Sequence, residues 1–308
     1  MRTTNDMTRR GALLFAAMCV IWGIPYLLIK VAVEDMSPSV LVLGRTLIAA
    51  ALLLPIAAVR GELRPLRPYV LAIAAFAGVE IALPWVLLGA AETEVSSSLT
   101  ALLIAAVPLV ATVIAMTTRG ERLRPVNALG LALGILGVAA IVGLDVEGAH
   151  VVPLLEIGLV AVCYAVGPAI LQRWLSHLPA LGVIAASVAL TALVYLPIAA
   201  FDLPDATPSA AALGSVLALA IVCTALAFVL FFALIAEVGP VRSTVITYVN
   251  PAVAAVLGVL ILDEHFTVAM GVGFALVLAG SVLATRRGAA PTERPVAAAY
   301  PGSDSIAG

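Results

Sequence analysis

The chain has 308 residues, 63% of them apolar and only 11% charged, with a mean hydropathy of +1.17. About a quarter of the residues of an ordinary soluble domain are charged, so this composition excludes a water-facing globule and makes lipid the expected solvent. The net charge of −2 and isoelectric point near 5.9 leave no clustered basic face, so nucleic acid is not an expected partner.

A bilayer-crossing helix needs about 20 mainly apolar residues. Ten segments qualify in chain order: 11–32, 38–59, 69–91, 96–116, 125–143, 152–172, 180–199, 211–234, 242–262 and 268–285. The first is too long for a signal peptide, being apolar or small without a break from Gly11 to Ile29. None of the runs alternates apolar with polar residues, which disfavours a transmembrane β-barrel. The predicted class is therefore an all-α integral membrane protein. Residues 1–10 are a cytoplasmic N-terminus, and residues 286–308, rich in Ala, Pro, Gly and Ser, read as a disordered cytoplasmic tail.

Basic residues stay on the cytoplasmic side during insertion. With the N-terminus inside, every one of the sixteen Lys and Arg residues falls in a cytoplasmic segment except Lys30 and Arg45, which lie within the first two spans. The outer loops then carry only acids: Glu34, Asp35, Glu92, Glu94, Asp145, Glu147, Asp202, Asp205, Asp263 and Glu264.

The chain also repeats itself. At a separation of 143 residues, Glu94-Val95 falls on Glu237-Val238, Pro108 on Pro251, Glu121 on Glu264, Gly130 on Gly273 and Gly137 on Gly280. Five spans per copy is an odd number, so the copies, residues 11–143 and 152–285, are expected to be inverted relative to one another. Inverted repeats recur in secondary transporters, where two halves rock about a site near the midplane.

Trp22-Gly23 followed by Lys30, then Arg45, Pro108, the Gly-Glu-Arg run at 120–122, Gly130 and Gly137, together resemble the EamA-type drug/metabolite transporters. The second half repeats the pattern with Pro251, Asp263-Glu264, Gly273 and Gly280. The resemblance implies a ten-helix exporter or exchanger of small metabolites, amino acids or drugs, with a central cavity between two five-helix halves. Tyr164 stands near where Trp22 would repeat, and Ser187 and Val188 near where Arg45 would, so a charged site is asymmetric.

Ionisable groups inside the hydrocarbon are costly and are functional candidates by default. Glu80 lies roughly 16 Å along the third span at a rise of about 1.5 Å per residue, close to the midplane. Burial favours its neutral form, which suits a proton carrier; the alternative is a structural bond to a carbonyl or to Arg45. Arg45 either binds a carboxylate through its fork or ties helices together. Lys30 either takes a direct part in substrate binding or coupling or snorkels to the outer interface, and Glu156 either takes such a part or reaches outer water in the same way. Trp22, Tyr26, Trp85, Tyr164 and Tyr248 either line a cavity or pack. Ser243, Thr244, Thr247, Tyr248 and Asn250 precede Pro251, which is expected to free the Thr247 carbonyl and kink its helix, as Pro108 does in the first half. The Gly130-x-x-x-Gly134 face is expected to join either the two halves or two protomers.

Cys19, Cys163 and Cys223 are separated and lie in apolar spans, while His150, His177 and His265 are isolated loop residues, so neither a metal nor a disulfide framework is expected. No phosphate loop occurs, and the single lysine is Lys30. No cofactor is expected, and the energy source is an ion gradient or a counter-substrate. The expected partners are a small-molecule substrate, the lipid bilayer, and a proton or counter-substrate, with the chain acting as a monomer or homodimer. The expected function is secondary active transport across a bacterial inner membrane, by a protein that is not an enzyme. The competing readings are a membrane-embedded lipid-modifying enzyme and a passive channel.

Overall fold

The computed structural model describes residues 8–119, 124–142 and 151–285. The Gly-Glu-Arg run at 120–122, the acids Asp145 and Glu147, His150 and the tail from residue 286 lie outside the described residues. Among the described residues the chain is helical and has no strand.

Among the described residues, eight apolar helices are long enough to cross a bilayer: α1 (Arg9–Val33), α2 (Pro38–Val59), α3 (Arg64–Glu94), α4 (Ser97–Thr118), α5 (Pro125–Val142), α6 (Val151–Leu175), α7 (Ala180–Ala199) and α8 (Ala210–Val238). Two shorter apolar helices follow, α9 (Ile246–Leu262) and α10 (Val268–Ala284). At 17 residues each they stand at the short end of the spanning range. Several helices start on a side-chain cap: Thr8, Ser37, Ser96, Ser209 and Thr267 accept from the backbone N–H groups of Gly11, Val40, Leu99, Ala212 and Met270. Each cap contributes about 1 kcal/mol, because the N–H would otherwise be left without a partner.

The helices pair across the two halves. α5 packs on α10, α2 on α7 and α4 on α9, while α1 lies against α8 and α9 as α6 lies against α3 and α4. Loop contacts gather at two ends. At one end Ser39 Oγ donates to the Asp202 carboxylate (2.8 Å), the Ser209 N–H donates to Asp35 (2.9 Å), and the Ser97 N–H donates to Glu264 (2.7 Å). At the other, Thr8 bonds Glu237, the Gly182 N–H donates to Glu62 (3.0 Å), and Tyr69 meets His177 edge-on at 4.8 Å. α1 therefore begins at the end where α6 finishes.

Asp35 accepts the Ser209 hydroxyl and then its backbone N–H, and these bonds hold its carboxyl below the usual carboxylate range. A lowered folded value means that the contact stabilises the fold at pH above that range and is lost as pH falls through it. The melting temperature of the wild-type chain in micelles should therefore drop more steeply on acidification than that of Asp35→Asn.

The glycine pattern of α5 is used inside the chain. A Cβ on Gly137 would stand 2.6 Å from the Gly273 carbonyl oxygen, and one on Gly130 would stand 2.7 Å from that of Gly280. The face thus joins the two halves, not two protomers. Asn127 Nδ2 extends the seam by donating to the Ala284 carbonyl at 2.7 Å.

Candidate functional site: a polar cluster around two π-helical turns

α3 and α8 each carry a π-helical turn, Ala77–Ala82 and Ile221–Leu226, at positions that coincide within one residue at the repeat separation. Such turns insert a residue into the helix, unsettle its hydrogen-bond ladder and recur at functional sites. Side chains repair both ladders. Tyr195 Oη of α7 donates to the Ala82 carbonyl (2.9 Å), and Thr224 Oγ1 donates to the Leu219 carbonyl (2.8 Å).

Glu80 lies in the first π turn, and its Oε2 is fully buried without a hydrogen-bond partner. Gly167 of α6 faces it closely enough that a Cβ there would occupy the carboxyl's space. Thr224 lies in the second π turn and accepts from Arg45 Nε at 3.0 Å. Arg45 is buried, 7% exposed, and its guanidinium lies over the Trp85 ring, 3.5 Å from its centroid. The Tyr164 hydroxyl lies near the Trp85 side chain and within the fields of both Glu80 and Arg45. Of the two structural roles open to Glu80, the ion pair with Arg45 is not formed: among the described residues Arg45 is committed to Thr224 and Trp85. A lysine cannot reproduce a planar fork that both stacks and bonds. Arg45→Lys should cost roughly 2–3 kcal/mol, one desolvated cation–π contact plus one hydrogen bond, read as a lower melting temperature in micelles.

Ser187 of α7, one residue before the Val188 on which Arg45 falls in the repeat, is also buried with an unpartnered hydroxyl. α7 packs on the π turn that carries Glu80, as α2 packs on the one that carries Thr224. The first half thus contributes an acid and an arginine to this region, and the second half only hydroxyls.

One placement, that of Glu92, differs from the sequence reading. Lys30 is half-buried near the end of α1, and its Nζ donates to the carbonyls of Glu92 (2.6 Å) and Val95 (3.0 Å). The end of α3 offers carbonyls with no helical partner beside the end of α1, and an ammonium satisfies them. Glu92, read as an outer-loop acid, instead lies in the last turn of α3 and is 0% exposed. Tyr26 stands between, within the fields of both Tyr164 and Glu92. Glu156 is half-buried near Glu94.

Trp22 and Asn250 form a separate contact where two interrupted helices meet. α1 breaks between Ile21 and Pro25, and Trp22 packs on Phe228 and Phe231 at 6.0 and 4.7 Å. Gly23 has no room for a Cβ, which would lie 2.6 Å from Val253. The Asn250 amide, oriented by its bonding options, donates to the carbonyls of Ile246 (2.8 Å) and Cys19 (3.1 Å). α4 breaks at Ala105–Ala106, next to the Ile104 carbonyl that Pro108 frees. On the Pro251 side the break falls at Thr244–Val245, a turn before the freed Thr247 carbonyl, because Thr247 and Tyr248 tighten the first turn with bonds to Thr244 and Val245. Thr247 is exposed, Tyr248 is half-buried, and neither joins the cluster around Glu80.

The EamA-like transporter family model matches residues 9–143 and again residues 154–286. The chain belongs to the EamA-like transporter family. It is 30% identical over 250 residues to the uncharacterized inner membrane transporter YedA of Escherichia coli K12, a match covering 79% of each chain, and equally to YedA of two other Escherichia coli strains. A crystal structure of a protein 21% identical superposes with a TM-score of 0.64, covering 89% of this chain and 96% of that one, and so shares the fold. The chain is thus a multi-pass membrane protein of a transporter family.

Proposed function

We propose that this EamA-like chain is a secondary active carrier of a small metabolite, amino acid or drug, working by alternating access between two inverted five-helix halves with Glu80 as its proton site. Inversion is supported by the opposite running of α1 and α6, by the helix pairing that repeats when each helix is exchanged for its counterpart, and by the matched π turns. Ten crossings with both termini cytoplasmic follow from the distribution of basic residues, and an inner membrane location agrees with the name of the YedA relatives.

The observation that carries the reading is the buried, unpartnered carboxyl oxygen of Glu80 on an interrupted helix, beside groups contributed by both halves. A buried acid without an ion-pair partner is stable when it holds a proton and reactive when it gives one up, as a coupling site must be. The remaining polar groups, Arg45, Trp85, Tyr164 and Tyr26, orient a substrate against an otherwise apolar wall.

The test is transport by the purified chain in proteoliposomes, with labelled amino acids and a lipophilic cationic drug as probes. Saturable accumulation under an imposed pH gradient, collapsed by a protonophore, is the expected result. Flux that rises linearly with concentration and never exceeds equilibrium would instead make the protein a channel. Conversion of added lipid without accumulation would make it an enzyme.

A further inference from the structure

Glu92 is a second buried acid, and the proposed carrier function does not use it. It lies in the last turn of α3, fully buried, and neither carboxylate oxygen has a hydrogen-bond partner; the Lys30 backbone N–H comes near without bonding geometry. A buried charge must be paired, hydrogen-bonded or neutralised. The nearest cation is not paired with it. Lys30 instead gives two of its three ammonium protons to the main-chain carbonyls of Glu92 and Val95.

The same corner is tied to the other half of the molecule. Glu264, in the turn between α9 and α10, accepts the backbone N–H groups of Ser97 (2.7 Å) and Ser98 (2.9 Å) and bonds the Ser98 hydroxyl. The buried Ser97 hydroxyl has no partner. Lys30 and Glu264 are the charged groups whose fields act on Glu92, and Tyr26 of α1 also feels it. Of the other helices packed on the end of α3, α2 offers only Arg45, which is engaged with Trp85 and Thr224. α6 turns Tyr164 toward Tyr26 and Glu156 toward Glu94, and α4 offers Ser97.

We propose that Glu92 is a proton-binding site that works a latch between the two halves at the Asp35 end, the outer end in the proposed orientation. While Glu92 holds its proton, Lys30 stays on the two carbonyls and the α3–α4 corner is held against the turn of Glu264. When the proton leaves to outer water, the carboxylate takes the ammonium, the two carbonyls lose their donor, and the corner loosens. The repeat supports a one-ended device. At a separation of 143 residues Lys30 is answered by Arg173, but Glu92 by Ile235, Ser97 by Pro240 and Ser98 by Val241. The cation recurs at the other end without the acid and the hydroxyls. The latch rests on the carrier reading, since it makes the coupling ion open the gate.

Amide hydrogen exchange of the full chain in lipid nanodiscs, followed over residues 92–100 and corrected for the intrinsic effect of pH, tests it. From mildly acidic to mildly alkaline pH the wild-type corner should become severalfold faster. Glu92→Gln, which has the shape of the protonated acid, should stay protected at both, and Lys30→Met should exchange fast at both. A wild type without the pH step, or a step that survives in Glu92→Gln or Lys30→Met, overturns the latch. A step abolished by Glu92→Gln in a protein that accumulates nothing under a pH gradient keeps the latch and removes the carrier. Gradient-driven accumulation without the step removes the latch alone.

Discussion

Gly280→Val is expected to lower the melting temperature in micelles by several degrees, while Gly214→Ala leaves it nearly unchanged. A Cβ on Gly280 would stand 2.6 Å from both the Gly130 carbonyl oxygen and the Gly134 nitrogen, whereas nothing lies within 4 Å of one on Gly214. The clashing atoms are backbone, which cannot rotate away, so α5 and α10 must part along their length. Overpacking of this kind costs about 1–3 kcal/mol, and valine adds two more carbons. At roughly 2–4 °C per kcal/mol for a large domain, the shift is well outside measurement error. Lipid offers no hydrophobic force to press the helices together again, because tails are as apolar as the side chains they replace; the seam depends on close backbone approach. Gly273 faces Gly137 in the same reciprocal way, so Gly273→Val should behave alike. A Gly280→Val protein that melts with the wild type would mean that the α5–α10 seam contributes little to joining the halves.

The seam is also where the sequence was most informative. Gly130, Gly137, Gly273 and Gly280 are legible because small residues at helical spacing have one physical use in an apolar helix, close approach, and their repetition at 143 residues identifies the two helices that use it. The helices themselves were legible from hydropathy, since lipid requires every backbone group to be satisfied within the span. The π turns were not. They depend on how the α3 and α8 ladders accommodate their neighbours, and Tyr195 and Thr224, which repair them, look like ordinary polar residues in apolar runs. Arg45 could be picked out as a buried cation, but its partners Trp85 and Thr224 come from α3 and α8 and are set by tertiary packing. Glu92 was misplaced because a charge at the edge of an apolar run reads as the start of a loop. The only lysine of the chain, at the neighbouring end of α1, was the one available signal that the edge is buried.

Glu80→Gln should abolish accumulation driven by a pH gradient while leaving the fold and gradient-free exchange intact. The amide has the size of the protonated acid, so it fits the space that Gly167 leaves and introduces no charge into the cluster. What it cannot do is release a proton. A carrier locked in the proton-loaded condition can still swap labelled for unlabelled substrate, but the gradient no longer performs work on it. Gly167→Ala makes the complementary test with the acid still present. Its methyl group takes the position of the Glu80 carboxyl, which must turn away from Tyr164 and the Arg45–Trp85 stack. Both variants should therefore lose coupling, one by removing the titrating group and the other by displacing it, and both should melt close to the wild type. If Glu80→Gln accumulates substrate as the wild type does, the acid is a structural element of the π turn and the proton must be carried elsewhere. If only Gly167→Ala loses coupling, the packing of α3 on α6 matters to transport but titration of Glu80 does not.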